Sequence, residues 1–155
     1  MAQVEERLRQ MGIELPKPGR PGGNYVSAVR TGNLVFLAGV GPRQPNGELM
    51  LGKLGRDLGV EQGYQAARLC AISSLGNLKA EIGDLDKVVR FVKVLGMVNA
   101  MPDFTQPPAV INGYSDLIVE LYGDRGRHAR SAVGLATLPN GMAVEVEAVV
   151  EVLPP

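Results

Sequence analysis

The stretch from Val144 to Val152 alternates with a period of two. Val144, Val146, Ala148, Val150 and Val152 fall on one side, and Glu145, Glu147, Val149 and Glu151 fall on the other. Only an extended strand sends successive side chains to opposite faces, so this segment commits the chain to a sheet with one apolar and one charged side. The preceding segment, about residues 129 to 137, has unlike faces too. Ser131, Val133, Leu135 and Thr137 alternate with Arg130, Ala132, Gly134 and Ala136. Leu138-Pro139-Asn140-Gly141 between them carries turn residues, which predicts a β-hairpin. The register that sets Val133 and Leu135 beside Val144 and Val146 leaves Arg130, Ala132, Gly134 and Ala136 on the face of Glu145 and Glu147. That face is charged, yet its centre is nearly bare of bulk. It reads either as a solvated surface or as a pocket for a small anion, closed by another subunit, with an acid/base group nearby.

The rest of the chain supplies what such a sheet packs against. Residues 60 to 82 repeat apolar residues at three- and four-residue steps (Tyr64, Ala67, Ala71, Leu75, Leu78, Ile82), and Gly83 suits the position after a helix end. A second helix is predicted over 107 to 122, opened by Pro107-Pro108 and closed by Gly123. Residues 87 to 99 are apolar on both sides, which predicts a central strand covered on both faces. Tyr25 to Arg30 and Leu34 to Ala38 read as a hairpin around Thr31-Gly32-Asn33. Residues 42 to 59 read as loop, with one short strand near Leu49. Residues 2 to 12 form a short amphipathic helix, followed by an irregular connector, Pro16-Lys17-Pro18-Gly19-Arg20-Pro21-Gly22-Gly23. The expected organisation is a segment 1–23 and a domain 24–155. The expected class is α+β: a mixed sheet with two helices on one face.

Composition removes several functions. Lys+Arg and Asp+Glu both number 16, and there are seven aromatic residues with no Trp. A balanced surface without stacking residues argues against nucleic acid or anionic lipid as partner. One cysteine, Cys70, allows no intrachain disulfide, and the N-terminal residues are charged rather than apolar. Both fit a reducing, cytoplasmic setting. No apolar run approaches the roughly 18 residues of a membrane span. One His and one Cys offer no metal-ligand spacing, so no metal or other cofactor is expected. Cys70, among Ala and Leu on the long helix, reads as a buried inert thiol. His128 reads as a solvated or structural residue, and Glu147 and Glu151 as surface or interface carboxylates.

The order Ala129-Arg130-Ser131-Ala132-Val133, Leu138-Pro139 and Val144-Glu145-Val146-Glu147-Ala148 resembles the signature of the YjgF-like, or Rid (reactive intermediate deaminase), superfamily. Tyr25-Val26, Leu37-Ala38-Gly39 and Phe91-Val92-Lys93-Val94 add to the match, which covers about residues 24 to 152. Gly126-Arg127-His128-Ala129 and the N-terminal helix and connector resemble a longer, endoribonuclease/chorismate-mutase-like branch.

The resemblance implies a chorismate-mutase-like fold assembled as a barrel-like homotrimer, with pockets between subunits. It implies that Arg130 holds the carboxylate of a 2-aminoacrylate-like imine or enamine, which hydrolyses to a 2-keto acid and ammonia. Glu145 is then the residue that positions or activates water, and Tyr25, Gly39, Asn112 and Ala132 line the substrate. Ala132 stands where many compact members have Cys, and Asn112 is the nearest match to a pocket asparagine. A non-enzymatic protein that binds or senses small carboxylic acids on the same scaffold is the alternative. Ribonuclease activity, which one family label suggests, fits poorly with the neutral charge and the absence of a basic cluster.

Overall fold

A computed structural model describes residues 2–155. In chain order the elements are α1 (Gln3–Gln10), β1 (Ala28–Thr31), β2 (Leu34–Val40), α2 (Val60–Ile82), β3 (Val88–Asn99), α3 (Pro107–Tyr122), β4 (Ala129–Leu135) and β5 (Val144–Val152). Short 3-10 turns lie at Leu85–Lys87, Gly123–Gly126 and Pro139–Gly141. The five strands form one sheet in the order β1-β2-β5-β3-β4. Only the β3–β4 pair is parallel, as its connection through α3 requires. The architecture is the expected mixed α+β sheet, with α2 and α3 packed on one face.

Element boundaries follow from local chemistry. Gln62 accepts the Gly59 N–H at 2.9 Å and caps the start of α2, and Gly83, at φ 83°, ends it. Pro107 opens α3 at a position that has no N–H to satisfy. Gly32-Asn33 turns β1 back on β2, with Thr31 paired to Leu34. Among the described residues, no helix is long and apolar enough to cross a membrane.

The predicted C-terminal hairpin does not form. β4 and β5 are consecutive in sequence but β3 lies between them. Consecutive strands need not pair, and the crossover through α3 places β4 outside β3 at the sheet edge. β5, whose Val144, Val146, Ala148, Val150 and Val152 are all buried, takes the central position between β2 and β3. Burying each such valine contributes roughly 1.5–3 kcal/mol, which favours the centre of the sheet for this strand.

The intervening strand also reverses the expected face of β4. Val94 pairs with Arg130 on one side and Ala148 on the other, and Met97 pairs with Val133 and Glu145. Arg130, Ala132 and Gly134 therefore face the helices. Ser131, Val133 and Leu135 share the open face with Glu145 and Glu147. A change of parity moves a whole set of side chains across a sheet, and this one separates Arg130 from Glu145.

Two further expectations change. β3 is an inner strand, but helices cover only one of its faces. Phe91, Val94 and Val98 are fully buried, whereas Leu95 and Met97 are half-buried on the open side. Around Leu49 there is no strand, only isolated bridges such as Arg43 to Leu49.

Backbone contact between α2 and α3 fixes the helical layer. A Cβ on Gly113 would stand 1.9 Å from the Tyr64 carbonyl oxygen, so no other residue fits at that crossing. α1 joins the same core through Val4 and Leu8. Asp86 accepts the backbone N–H groups of Gln3 and Val4 at 2.7 and 3.0 Å, which caps α1 from a distant part of the chain.

Candidate functional site

The sequence-predicted site residues fall into two groups at opposite ends of the sheet. Arg130, Asn112 and Ala132 belong to the helix side of β4. Tyr25, Gly39 and Glu145 line a cavity at the other end of the sheet.

Arg130 projects from the edge strand onto the first turns of α3. Its Nη1 donates to Asn112 Oδ1 at 2.9 Å and to Ser115 Oγ at 3.1 Å, and its Nη2 makes a long contact, 3.4 Å, to the Pro108 carbonyl. All three acceptors are neutral, and among the described residues no carboxylate pairs with it. A guanidinium has five N–H groups. The contacts use both on Nη1 and one on Nη2, leaving the Nε–H and the second Nη2–H. These two donors remain for a ligand, and a guanidinium with free donors on Nε and Nη2 can hold a carboxylate through two hydrogen bonds. Ala132, two residues on, is half-buried against the core and leaves the strand bare beside the arginine.

Glu145 sits where β2 bulges. Leu37 pairs with Ala148 but Val40 pairs with Val146, so β2 carries an extra residue at Ala38-Gly39. The Glu145 carboxylate lies over Gly39, and a Cβ there would stand 2.4 Å from Oε2. Burial raises the Glu145 carboxyl above its ordinary pKa, and the charge of Glu147 adds to the rise. A carboxylate that holds its proton more tightly than an ordinary surface glutamate is better suited to proton exchange with water.

The cavity beside Glu145 has a volume of about 620 Å³. The connector roofs it from Pro16 to Gly22, and Ser73 and Asn77 of α2 form one wall. The Tyr25 hydroxyl accepts the Gly22 N–H at 3.2 Å and so ties the connector to the start of the sheet. Tyr25 is more than half exposed beside the opening.

Separation of the two groups is set by the pairing. Arg130 and Glu145 are two strand spacings and three residues apart, about 14 Å between Cα atoms, and point to opposite faces. One small ligand cannot touch both within one chain.

The open face itself is apolar between its charges. Val29, Phe36 and Val133 are 52, 45 and 42% exposed, and half-buried Leu95, Met97 and Val149 lie among them.

Sequence reasoning missed Ser115, and of its two readings of His128 the structural one fits. His128 Nδ1 lies 2.7 Å from the Gly126 carbonyl and Nε2 lies 2.9 Å from Ser115 Oγ, so the imidazole has two partners. Burial lowers its pKa, with the Arg130 charge adding to the effect. Ser115 follows Asn112 by one helical turn, and two uncharged polar residues on one side of the helix were the available signal. Cys70 is fully buried as expected, and burial pushes its thiol well above the ordinary value.

A five-stranded mixed sheet with helices on one face places the molecule in the chorismate-mutase-like class of α+β proteins. The chain belongs to the YjgF/chorismate mutase-like family, whose description adds a provisional endoribonuclease label; the match spans residues 5–150. It is 46% identical to Protein TCP17 of Trypanosoma cruzi over 150 residues, 96% of this chain and 94% of that one. It is similar in structure to the protein Atu1372 of unknown function from Agrobacterium tumefaciens, with TM-score 0.90 and 40% identity over 97% of this chain and 94% of that one. RidA from Psychrobacter sp. PAMC 21119 is more distant, with TM-score 0.60 and 27% identity over 88% of this chain and 94% of that one.

Proposed function

We propose that the protein is a hydrolytic deaminase of small imines and enamines bearing a carboxylate, and that it works as a closed homotrimer. In the assembly, Arg130 of one protomer faces the Glu145 cavity of the next. The reading rests on one observation above all: Arg130 is held by neutral acceptors with its Nε–Nη2 edge free. A cation fixed in this way, without a carboxylate of its own, is a receptor for one from a ligand. The opposite placement of Glu145 and the apolar open face support the subunit arrangement, because each protomer carries two half-sites. Membership of the family supports the reaction class.

Chemistry follows from the two half-sites. Arg130 binds the substrate carboxylate and fixes the adjacent carbon against Glu145. An enamine first gains a proton at carbon and becomes an iminium ion. Water then attacks the iminium carbon while Glu145 takes a proton from it, which leaves a neutral carbinolamine. Glu145 returns its proton to the amine of the carbinolamine. The C–N bond breaks, ammonia leaves, and the remaining hydroxyl loses its proton to solvent as it becomes the keto group, which balances the proton first taken up at carbon. One water is consumed, and one keto acid and one ammonia are formed. The elevated pKa of Glu145 suits it to both halves of the exchange.

The test is keto-acid release from an imine generated in situ by an amino-acid oxidase. Acceleration by the wild type and its loss in Arg130→Ala are expected. Equal rates with and without the protein would contradict the proposal. Saturable keto-acid binding without acceleration would instead identify a carboxylate-binding protein.

A further inference from the structure

Ser115 and His128 form a chain behind Arg130. Gly126 offers only a carbonyl oxygen to His128 Nδ1, at 2.7 Å, so Nδ1 carries the ring proton. Nε2 is then a lone pair, and the group that meets it at 2.9 Å is the Ser115 hydroxyl. That hydroxyl has one hydrogen. Donated to Nε2, it leaves only lone pairs toward Arg130, whose Nη1 lies 3.1 Å away. Every donor in the series has an acceptor, and each link fixes the direction of the next.

The imidazole is itself held in place. The Phe91 ring lies 6.5 Å from it, centroid to centroid, tilted by 56°. Asp116, Glu120 and Arg127 line the same groove. Asn112 takes the other Nη1 hydrogen at 2.9 Å. Two acceptors on one nitrogen stop the guanidinium from rotating about its Cζ–Nε bond, and the free Nε–Nη2 edge keeps one orientation.

We propose that His128 is a positioning residue for Arg130. Acting through Ser115, it locks the guanidinium with its carboxylate-binding edge presented outward. The consequence for ligands rests on the proposed role of Arg130 as carboxylate anchor. The positioning itself does not. Pre-set orientation lowers the entropy lost when a carboxylate binds, so the gain appears in affinity for carboxylates and not in general stability.

The experiment measures Arg130 guanidinium rotation by NMR and pyruvate affinity by calorimetry, on the same full-length proteins. The variants are Ser115→Ala and His128→Phe, which break the chain, and Ser115→Thr and His128→Gln, which keep a hydroxyl and an acceptor in place. Slow rotation is expected in the wild type, Ser115→Thr and His128→Gln, and fast rotation in Ser115→Ala and His128→Phe. Pyruvate affinity should fall about tenfold in the two broken variants, while affinity for pyruvamide, which lacks the charge, stays level.

Wild-type rotation in His128→Phe or Ser115→Ala would overturn the proposal. So would equal weakening of pyruvate and pyruvamide. The outcome that sinks only the parent reading is different. If rotation follows the expected pattern but Arg130→Ala binds pyruvate as well as the wild type, the positioning stands and the anchor role fails.

Discussion

Arg130 and Glu145 lie on opposite faces of one sheet, divided by β3. Met97 pairs with Glu145 on β5 and with Val133 on β4, and Arg130 stands three residues before Val133, on the side of the helices. The two groups proposed to bind and hydrolyse a carboxylate-bearing imine are therefore unable to meet inside one chain.

Arg130→Lys tests the need for a planar, two-pronged grip. Lysine keeps the charge but offers no parallel pair of donors. Keto-acid release should fall at least tenfold in kcat/KM, since one charge-assisted hydrogen bond is worth about 1.5–3 kcal/mol. Steady-state rates with an imine generated in situ give the answer, and a lysine variant at wild-type rate would remove the bidentate geometry from the account.

Glu145→Gln should separate activity from stability. A positioned general base contributes about a hundredfold or more to rate, so turnover should fall by that order. Stability should change the other way. The folded state holds the Glu145 proton more tightly than the unfolded chain. Ionisation therefore costs stability as pH rises through the raised folded value, and costs nothing below the ordinary carboxylate range. The glutamine variant should melt higher than the wild type at neutral pH, with the margin closing by about pH 4. Thermal melts of both proteins across this range check the sign.

Gly39→Ala introduces a Cβ where the Glu145 carboxylate now lies, at 2.4 Å. The carboxylate must move, because it ends a flexible side chain, whereas β2 is held by pairing at Leu34 to Leu37 and at Val40 on either side of Gly39. Activity should fall at least tenfold, with the cost to stability confined to about 1–3 kcal/mol. Gly113→Ala should do the reverse. Its Cβ would meet helix backbone at 1.9 Å, which cannot yield by a rotamer change, so folding should suffer first. Denaturant unfolding and turnover, measured on both variants, distinguish the two effects.

Phe36→Asp places a charge in the middle of the open face, where Phe36 is 45% exposed and pairs with Val29 and Val149. If the face is a subunit interface, the variant should retain its circular dichroism and lose both assembly and activity. Light scattering and the keto-acid assay report these separately.

Much of the fold could be read before any coordinates, and the reasons are local. α2 and α3 begin and end at the residues their periodicity, proline and glycine mark, because a helix satisfies its backbone within its own length. The β1–β2 hairpin follows from a two-residue turn. The partner of β5 is a different kind of question. Alternation in Val144 to Val152 says that one face is buried, but carries nothing about which strand lies alongside. The turn residues between β4 and β5 suggest a hairpin, and only the α3 crossover, which inserts β3, cancels it. From that single error came the wrong face for Arg130. Asn112 was within reach because it lies near the start of α3. Ser115 and His128 were not, since their roles arise from a hydrogen-bond series that crosses from helix to loop to strand.

The central claim is that each site takes Arg130 from one protomer and Glu145 from another. It is tested most directly by mixing two inactive variants, Arg130→Ala and Glu145→Gln, after joint unfolding and refolding. In a ring of three with random composition, about one quarter of the interfaces carry an intact arginine facing an intact glutamate. Keto-acid release should therefore recover to about a quarter of the wild-type rate. A mixture no more active than either variant alone would contradict the account.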